Sequence, residues 1–246
     1  MSYQSAATES STGFFGKLVS HGDFVSRRLP DSFMQAWDSW LQHGLHASRE
    51  TLGAAWLETY LTSPIWRFAL NTGVAGESAW AGVLMPSVDR VGRHFPLTIA
   101  ASSNGQIAML EWLENEKPWF DQLETLALSS LEADFRLDDF DLALQTIFGL
   151  PVHTTSKNKG AGDQAAWCFN IESVGALSAN IAPVIRDIAQ ASLAAHSIWW
   201  TDGSPHVSPS VLVCRGLPSA AQFCAMLSGR WSESGWQTPA IKLSLA

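Results

Sequence analysis

The segment SVDRVGRH, residues 87–94, places charged and reactive side chains between two apolar runs. It supplies Asp89, Arg90, Arg93 and His94, which could bind a partner or act on a substrate. Arginine guanidinium groups recognise carboxylates and phosphates through paired hydrogen bonds, and a neighbouring aspartate can hold them in place by a salt bridge. The same pattern also suits a structural Asp–Arg pair that stiffens the connection between two strands. The residues alone leave both interpretations open.

A second polar cluster, SHGDFVSRR at residues 20–28, follows another apolar segment. Its charged residues are Asp23, Arg27 and Arg28, and they lie close in sequence to His21. Because each cluster ends an apolar segment, the two clusters could meet at one edge of a sheet. Their residue types would then allow either a partner-binding surface or a site for a phosphorylated group.

The common catalytic and cofactor motifs are absent from the sequence. Gly16-Lys17 is followed by Leu18 rather than by serine or threonine, so there is no Walker phosphate loop. The segment GAGDQA, residues 160–165, matches GxGxxA, but it follows a polar loop and precedes a predicted strand, which is the reverse of a dinucleotide-binding context. Neither HExxH nor GxSxG occurs. These absences favour a protein without catalytic activity and without a cofactor.

A cryptic phosphate-ester hydrolase is the enzymatic alternative. It would use Asp23, Asp89, His21 or His94 as catalytic groups and an arginine as a phosphate clamp. Metal-dependent hydrolysis would need several convergent carboxylates, and the two clusters supply only the pair Asp23 and Asp89. No spacing in the sequence supports this alternative.

The composition excludes several other classes of protein. The chain has 246 residues, of which 46% are hydrophobic and 15% are charged, so it can bury a sizeable core. A net charge of −8 without a lysine- or arginine-rich run argues against nucleic-acid binding and against an anionic membrane surface. Cys168, Cys214 and Cys224 lack CxxC spacing and lie in apolar context, which indicates buried thiols. No apolar run is long enough to span a membrane, and we expect a cytoplasmic protein.

Apolar periodicity predicts an α/β fold. Residues 1–12 are expected to form a disordered leader and not a signal peptide, and residues 13–246 a single domain. The apolar residues after Pro30 show helical spacing; they are Phe33, Trp37, Trp40, Leu41 and Leu45. Four further helices are predicted, for residues 52–61, 107–148, 181–195 and 217–227. Strands are predicted for residues 13–19, 65–70, 80–85, 95–101, 166–170, 196–201 and 211–214. Because near-continuous apolar strands are usually covered on both faces, we expect a mixed sheet with helices on each face.

Three long stretches resemble the TagF family, also called ImpM, of bacterial type VI secretion. They are FFGKLVSHGDFVSRRLP at residues 14–30, SRETLGAAWLETYLTSPIWRF at residues 48–68 and WAGVLMPSVDRVGRHFPLTIA at residues 80–100. The resemblance is dense over residues 13–101. It is weaker beyond them, where SIWWTDGS at residues 197–204 looks like a late tryptophan-rich strand of the family.

The resemblance implies a three-layer α/β/α sandwich, here expected with a mixed central sheet. It also implies a cytoplasmic, non-catalytic protein that represses type VI secretion post-translationally, with a forkhead-associated scaffold protein as partner. A structural subunit of the secretion apparatus is a further alternative to the hydrolase. The candidate partner-binding residues are the charged and histidine residues of the two clusters: Asp23, Arg27, Arg28, Asp89, Arg90, Arg93 and His94. Neither a metal nor a cofactor is expected.

Overall fold

The computed structural model describes residues 12–103, 116–147, 166–170 and 196–238, and it describes residues 166–170 by their backbone alone. Its strands form one sheet in the order β2-β1-β5-β4-β3-β7-β8-β6. The strands are β1 (Gly13–Gly16), β2 (Val25–Arg27), β3 (Trp66–Leu70), β4 (Ala79–Met85), β5 (Leu97–Ser103), β6 (Ala166–Asn170), β7 (His196–Thr201) and β8 (Ser210–Arg215).

Every pairing between the described strands is antiparallel, so the expectation of a mixed sheet was wrong. The expectation came from apolar runs that leave no polar face, a pattern common in parallel sheets. In this chain β3 and β4 are antiparallel neighbours in both sequence and space, and so are β4 and β5. Burial on both faces therefore comes from the packing around the sheet and does not require parallel strands.

Five described α-helices accompany the sheet: α1 (Asp31–Leu52), α2 (Trp56–Leu61), α3 (Lys117–Ser129), α4 (Leu137–Thr146) and α5 (Ala220–Ser228). This combination of helices with an antiparallel sheet confirms the α/β class. Pro30 precedes α1 as its N-cap residue, as the sequence predicted. The helix predicted for residues 52–61 is interrupted, because a 3₁₀ turn at Gly53–Ala55 separates α1 from α2. None of the described helices is long and apolar enough to cross a membrane.

The buried residues form two apolar clusters, and neighbouring residues of one strand belong to different clusters. Phe14 belongs to the cluster that contains residues of α3 and α4, whereas Phe15 belongs to the cluster that contains residues of α1, α2 and α5. Val83 and Leu84 divide in the same way. Since side chains alternate between the faces of a strand, the two clusters lie against opposite faces of the sheet.

Several predictions concern parts of the chain whose structure is not described. Residues 1–11 of the leader predicted for residues 1–12, the segment at residues 160–165 and the helix predicted for residues 181–195 lie outside the described residues. The division into a leader and a single domain therefore stays a prediction. Of the cysteines, Cys214 and Cys224 are buried and free, as expected, while the side chain of Cys168 is not described. Burial raises the pKa of the Cys214 thiol to about 12, which makes it a poor nucleophile.

Candidate functional site: a surface of two loops at one end of the sheet

The two polar clusters meet beside the ends of three strands. β1 ends at Gly16, β4 ends at Met85 and β5 begins at Leu97. The register pairs Met85 with Leu97, so the loops that follow β1 and β4 emerge at the same end of the sheet. We call residues 20–24 and 88–94 together the loop surface.

Two hydrogen bonds join the loops directly. The backbone N–H of Arg90 donates to the carbonyl oxygen of His21 at 3.0 Å. The guanidinium group of Arg93 donates to the carbonyl oxygen of Gly22. The sequence suggested that the two clusters could meet, and the structure brings them into contact.

Asp89 is the centre of the second loop, and its carboxylate is completely buried. Its Oδ2 accepts from Lys17 Nζ at 2.5 Å and from Arg93 Nε at 2.7 Å. Its Oδ1 accepts the backbone N–H groups of Val91 at 3.0 Å and of Arg93 at 2.8 Å. Both carboxylate oxygens thus have two donors each, and the side chain holds the loop to the end of β1.

Burial of Asp89 opposes its ionisation, but the donors around it outweigh this effect. The hydrogen bond from Lys17 and those from Arg93 and Val91 hold the pKa of Asp89 below its usual range. The carboxylate is therefore charged at neutral pH and fully engaged. A carboxylate in this state is a weak general base, because it has little affinity for a proton.

The loop itself is a tight turn. Asp89 donates its N–H to the carbonyl of Arg93 at 3.0 Å, and Gly92 donates to the carbonyl of Asp89 at 3.0 Å. Gly92 has a φ of 84°, a left-handed conformation that favours glycine over residues with a Cβ. This geometry explains why the segment reads D-R-V-G-R: the aspartate accepts from the turn, and the glycine closes it.

A buried tyrosine supports the loop from below. The Tyr60 hydroxyl donates to the carbonyl of Ser87 at 2.8 Å and accepts the N–H of the same residue at 3.0 Å. The Ser87 hydroxyl donates to the carbonyl of Lys17 at 2.7 Å. Burial raises the pKa of Tyr60 above its ordinary value, so the hydroxyl remains a donor.

His94 lies at the other end of the turn, against aromatic rings. It packs edge-on against Trp56 at 5.5 Å and against Tyr60 at 5.6 Å between ring centroids. The guanidinium group of Arg49 lies over the Trp56 ring, with its central carbon 4.2 Å from the ring centroid. Burial and the charge of Arg49 lower the pKa of His94, although Asp89 acts in the opposite direction. The imidazole is therefore predominantly neutral at neutral pH.

The remaining predicted residues have separate environments. Asp23 is exposed, and its Oδ1 accepts the N–H of the next residue at 2.8 Å. Arg27 is exposed and donates to the carbonyl of Ser26 on its own strand. Arg28 forms an ion pair of 2.5 Å with Asp141 of α4, so it ties β2 to that helix rather than to either loop. Its φ of 58° is unusual for a residue with a side chain.

Sequence reasoning missed several residues that build this site. Lys17 was considered only as the lysine of a Walker phosphate loop, which the sequence does not contain. A lysine inside an apolar run is, however, a signal for a buried ion pair. Tyr60 and Arg49 are distant in sequence from the loops, and no local pattern connects them. Phe24 and Val91 were not singled out in the sequence, yet these residues are 45% and 65% exposed.

The fold and the site together define a class: a helix and antiparallel-sheet protein that presents an ion-paired surface of two loops. A family model described as the TagF N-terminal domain, type VI secretion system-associated, matches residues 13–147. The chain belongs to this TagF family. A crystal structure of PA0076 from Pseudomonas aeruginosa PAO1 is similar, with 35% sequence identity, a TM-score of 0.74 and coverage of 96% of this chain and 99% of that one. No curated protein is significantly similar to the chain.

Proposed function

We propose that this protein is a non-catalytic accessory protein that represses type VI secretion post-translationally by binding a cytoplasmic component, a forkhead-associated scaffold protein. Membership of a type VI secretion-associated family supports the biological setting. The structural observation that supports a binding role is the loop surface. Its ion pair between Asp89 and Lys17 is buried, while Arg90 and the apolar residues Phe24 and Val91 are exposed.

The environment of each acid–base group supports a binding role over hydrolysis. Asp89 has four donors on its two oxygens and a lowered pKa, and His94 is packed against two aromatic rings. Of the two aspartates in the loop surface, Asp23 faces solvent and Asp89 is buried. No group of His, Cys, Asp and Glu residues within the described ranges is arranged to hold a metal ion. The proposal therefore assigns these residues to the support of a binding surface.

The proposal includes a cytoplasmic location and a three-layer α/β/α arrangement of the domain. The separate apolar clusters on the two faces of the sheet support that arrangement. In that arrangement the loop surface lies at an end of the sheet.

The first experiment is an affinity pull-down of the tagged protein from cells that express a type VI locus, read by mass spectrometry. We expect the forkhead-associated scaffold to co-purify with the wild type and to be lost with Arg90→Glu. Arg93→Glu is a poorer variant, because its new carboxylate would lie beside the buried charge of Asp89. Circular dichroism establishes that each variant is folded. A folded Arg90→Glu variant that retains the scaffold would show that the interface lies elsewhere.

The regulatory part of the proposal has its own measurement. Overproduction of the wild type should lower the amount of type VI substrate in the culture medium without changing the abundance of the apparatus proteins. Overproduction of Arg90→Glu should not. Unchanged secretion in both strains would contradict the repressor function even if the scaffold binds.

A further inference from the structure

The guanidinium group of Arg90 is exposed and has no ion-pair partner among the described residues. Its side chain lies beside Gly22 of the neighbouring loop. Its backbone N–H is bound to His21, so the position of the residue is set by the loop contact while its charged end remains in solvent. The loop contact thus fixes Arg90 at an exposed position without a counter-charge among the described residues.

Neither acidic residue of the loop surface forms an ion pair with Arg90. Asp89 accepts from Lys17 and Arg93, and it lies beneath the surface. Asp23 accepts a backbone N–H with one of its oxygens. Three other surface cations lie within ion-pair distance of a carboxylate near them in sequence: Lys117 with Asp121, Arg136 with Asp139 and Arg230 with Glu233. Arg27 is exposed and, like Arg90, has no ion-pair partner among the described residues, but it lies on β2 and outside the loop surface.

Two exposed apolar residues, Val91 and Phe24, belong to the same loop surface as Arg90. Val91 follows Arg90 directly in the turn and is more exposed than Phe24. Phe24 stacks on Phe15 at 5.6 Å and contacts Phe95 edge-on at 4.8 Å, so its ring is held firmly while part of it faces solvent. The loop surface thus combines an anchored aromatic ring, an exposed aliphatic side chain and a guanidinium group without an ion pair among the described residues, and protein interfaces are enriched in aromatic residues and arginine.

We propose that the loop surface binds an acidic segment of a partner protein, with a carboxylate on Arg90 and an adjacent apolar side chain against Val91 and Phe24. We choose an acidic segment as the ligand because of charge complementarity. The chain as a whole has a net charge of −8, so it repels acidic partners in general and attracts one only where a cation lacks a counter-ion. This inference names the chemistry of the partner and rests on the proposed function for the existence of a protein partner.

A protein segment fits this surface better than a membrane does. An anionic bilayer is held by clusters of basic residues, whereas Lys17 and Arg93 of this region are paired with Asp89 and leave Arg90 as a single cation. A segment that places one carboxylate beside one apolar side chain needs only a single free arginine. The turn presents that arginine and Val91 side by side.

The probe is a display library of random peptides, selected on the wild-type protein and then measured by fluorescence anisotropy with the enriched peptides. We expect enriched peptides to carry aspartate or glutamate beside an aliphatic or aromatic residue. Arg90→Gln and Val91→Ser should each weaken the binding of such a peptide by about tenfold, as expected for a central interface residue. Arg136→Gln, which removes another exposed guanidinium group, is the matched control and should bind as the wild type does.

The outcomes separate this inference from the proposed function. Enrichment of peptides without acidic residues, or binding that Arg90→Gln and Val91→Ser leave unchanged, would overturn the inference. Flotation with vesicles of phosphatidylglycerol and phosphatidylcholine that depends on Arg90 would overturn it in favour of a lipid surface. If the scaffold protein binds but competes with no acidic peptide, the proposed function stands and this inference fails. If acidic peptides bind and the scaffold does not, the inference stands and the proposed partner is wrong.

Discussion

Replacement of Tyr60 by phenylalanine should destabilise the protein through one backbone group beneath the loop surface. The Tyr60 side chain is completely buried, so phenylalanine keeps the packing and removes only the hydroxyl. The carbonyl of Ser87 would retain the N–H of Phe95 at 3.1 Å as a donor. The N–H of Ser87 would lose the acceptor that it has at 3.0 Å.

A buried donor without a partner costs about 1–3 kcal/mol. In a chain of this size, about 1 kcal/mol shifts Tm by roughly 2–4 °C, so a cost of about 2 kcal/mol lowers Tm by roughly 4–8 °C. Urea unfolding followed by circular dichroism should show the same loss as a lower midpoint with an unchanged slope.

Thr62→Ala is the matched control for Tyr60→Phe. It removes a hydroxyl that donates to the carbonyl of Glu58 at 2.7 Å near the protein surface. Water can replace that hydrogen bond, so the free energy of unfolding should change by no more than about 0.5 kcal/mol. If Tyr60→Phe behaves like Thr62→Ala, Ser87 is not held by this tyrosine, and our account of how the loop is supported is incorrect.

Three further perturbations test other parts of the structure. Gly44→Ala should lower the free energy of unfolding by about 1–3 kcal/mol in urea titrations, because the added Cβ would lie 2.5 Å from the Phe223 ring. Greater stability would show that α5 can shift to make room for the added methyl group. Asp89 has a lowered pKa, so its contribution to stability is present above the unfolded pKa of about 4 and is lost as the pH falls through the folded value. Wild-type stability should therefore fall more steeply below about pH 4 than that of Asp89→Asn; parallel curves would contradict this assignment. Purified protein should not hydrolyse phosphothreonine peptides with or without Mn²⁺, and turnover that Asp23→Asn abolishes would establish the hydrolase alternative.

Much of the local structure could be predicted from the order of residues alone. The helical spacing of Phe33, Trp37 and Leu41 found α1, because one buried face of a helix repeats every three to four residues. The apolar run ending at Met85 found β4 almost to the residue. Helix boundaries were predicted less exactly: the helix expected to start at residue 217 begins at Ala220, after a capping box at Ser219. The capping hydrogen bonds decide that boundary.

The candidate site was only partly visible in the sequence. The segment around Asp89 was recognised as important, but the sequence left open whether its side chains bind a partner or stiffen a turn. The structure shows which side chains of the segment make internal contacts, and partner binding stays a proposal. Asp89 and Arg93 make the internal contacts, while the charged end of Arg90 makes no ion pair with the described residues. Such a division depends on which side of a turn each residue faces, and composition does not encode it.

By itself, the sequence determined the α/β class, the buried strands, the long first helix and the resemblance to the TagF family, because each of these depends on local periodicity or on contiguous motifs. Only the tertiary structure decided that the sheet is antiparallel, that Lys17 reaches Asp89 and that Tyr60 supports Ser87. These pairs are far apart in the chain, and no local pattern selects one partner over another. They form because the folded chain excludes water around them, and each buried polar group must then find its hydrogen bond within the protein.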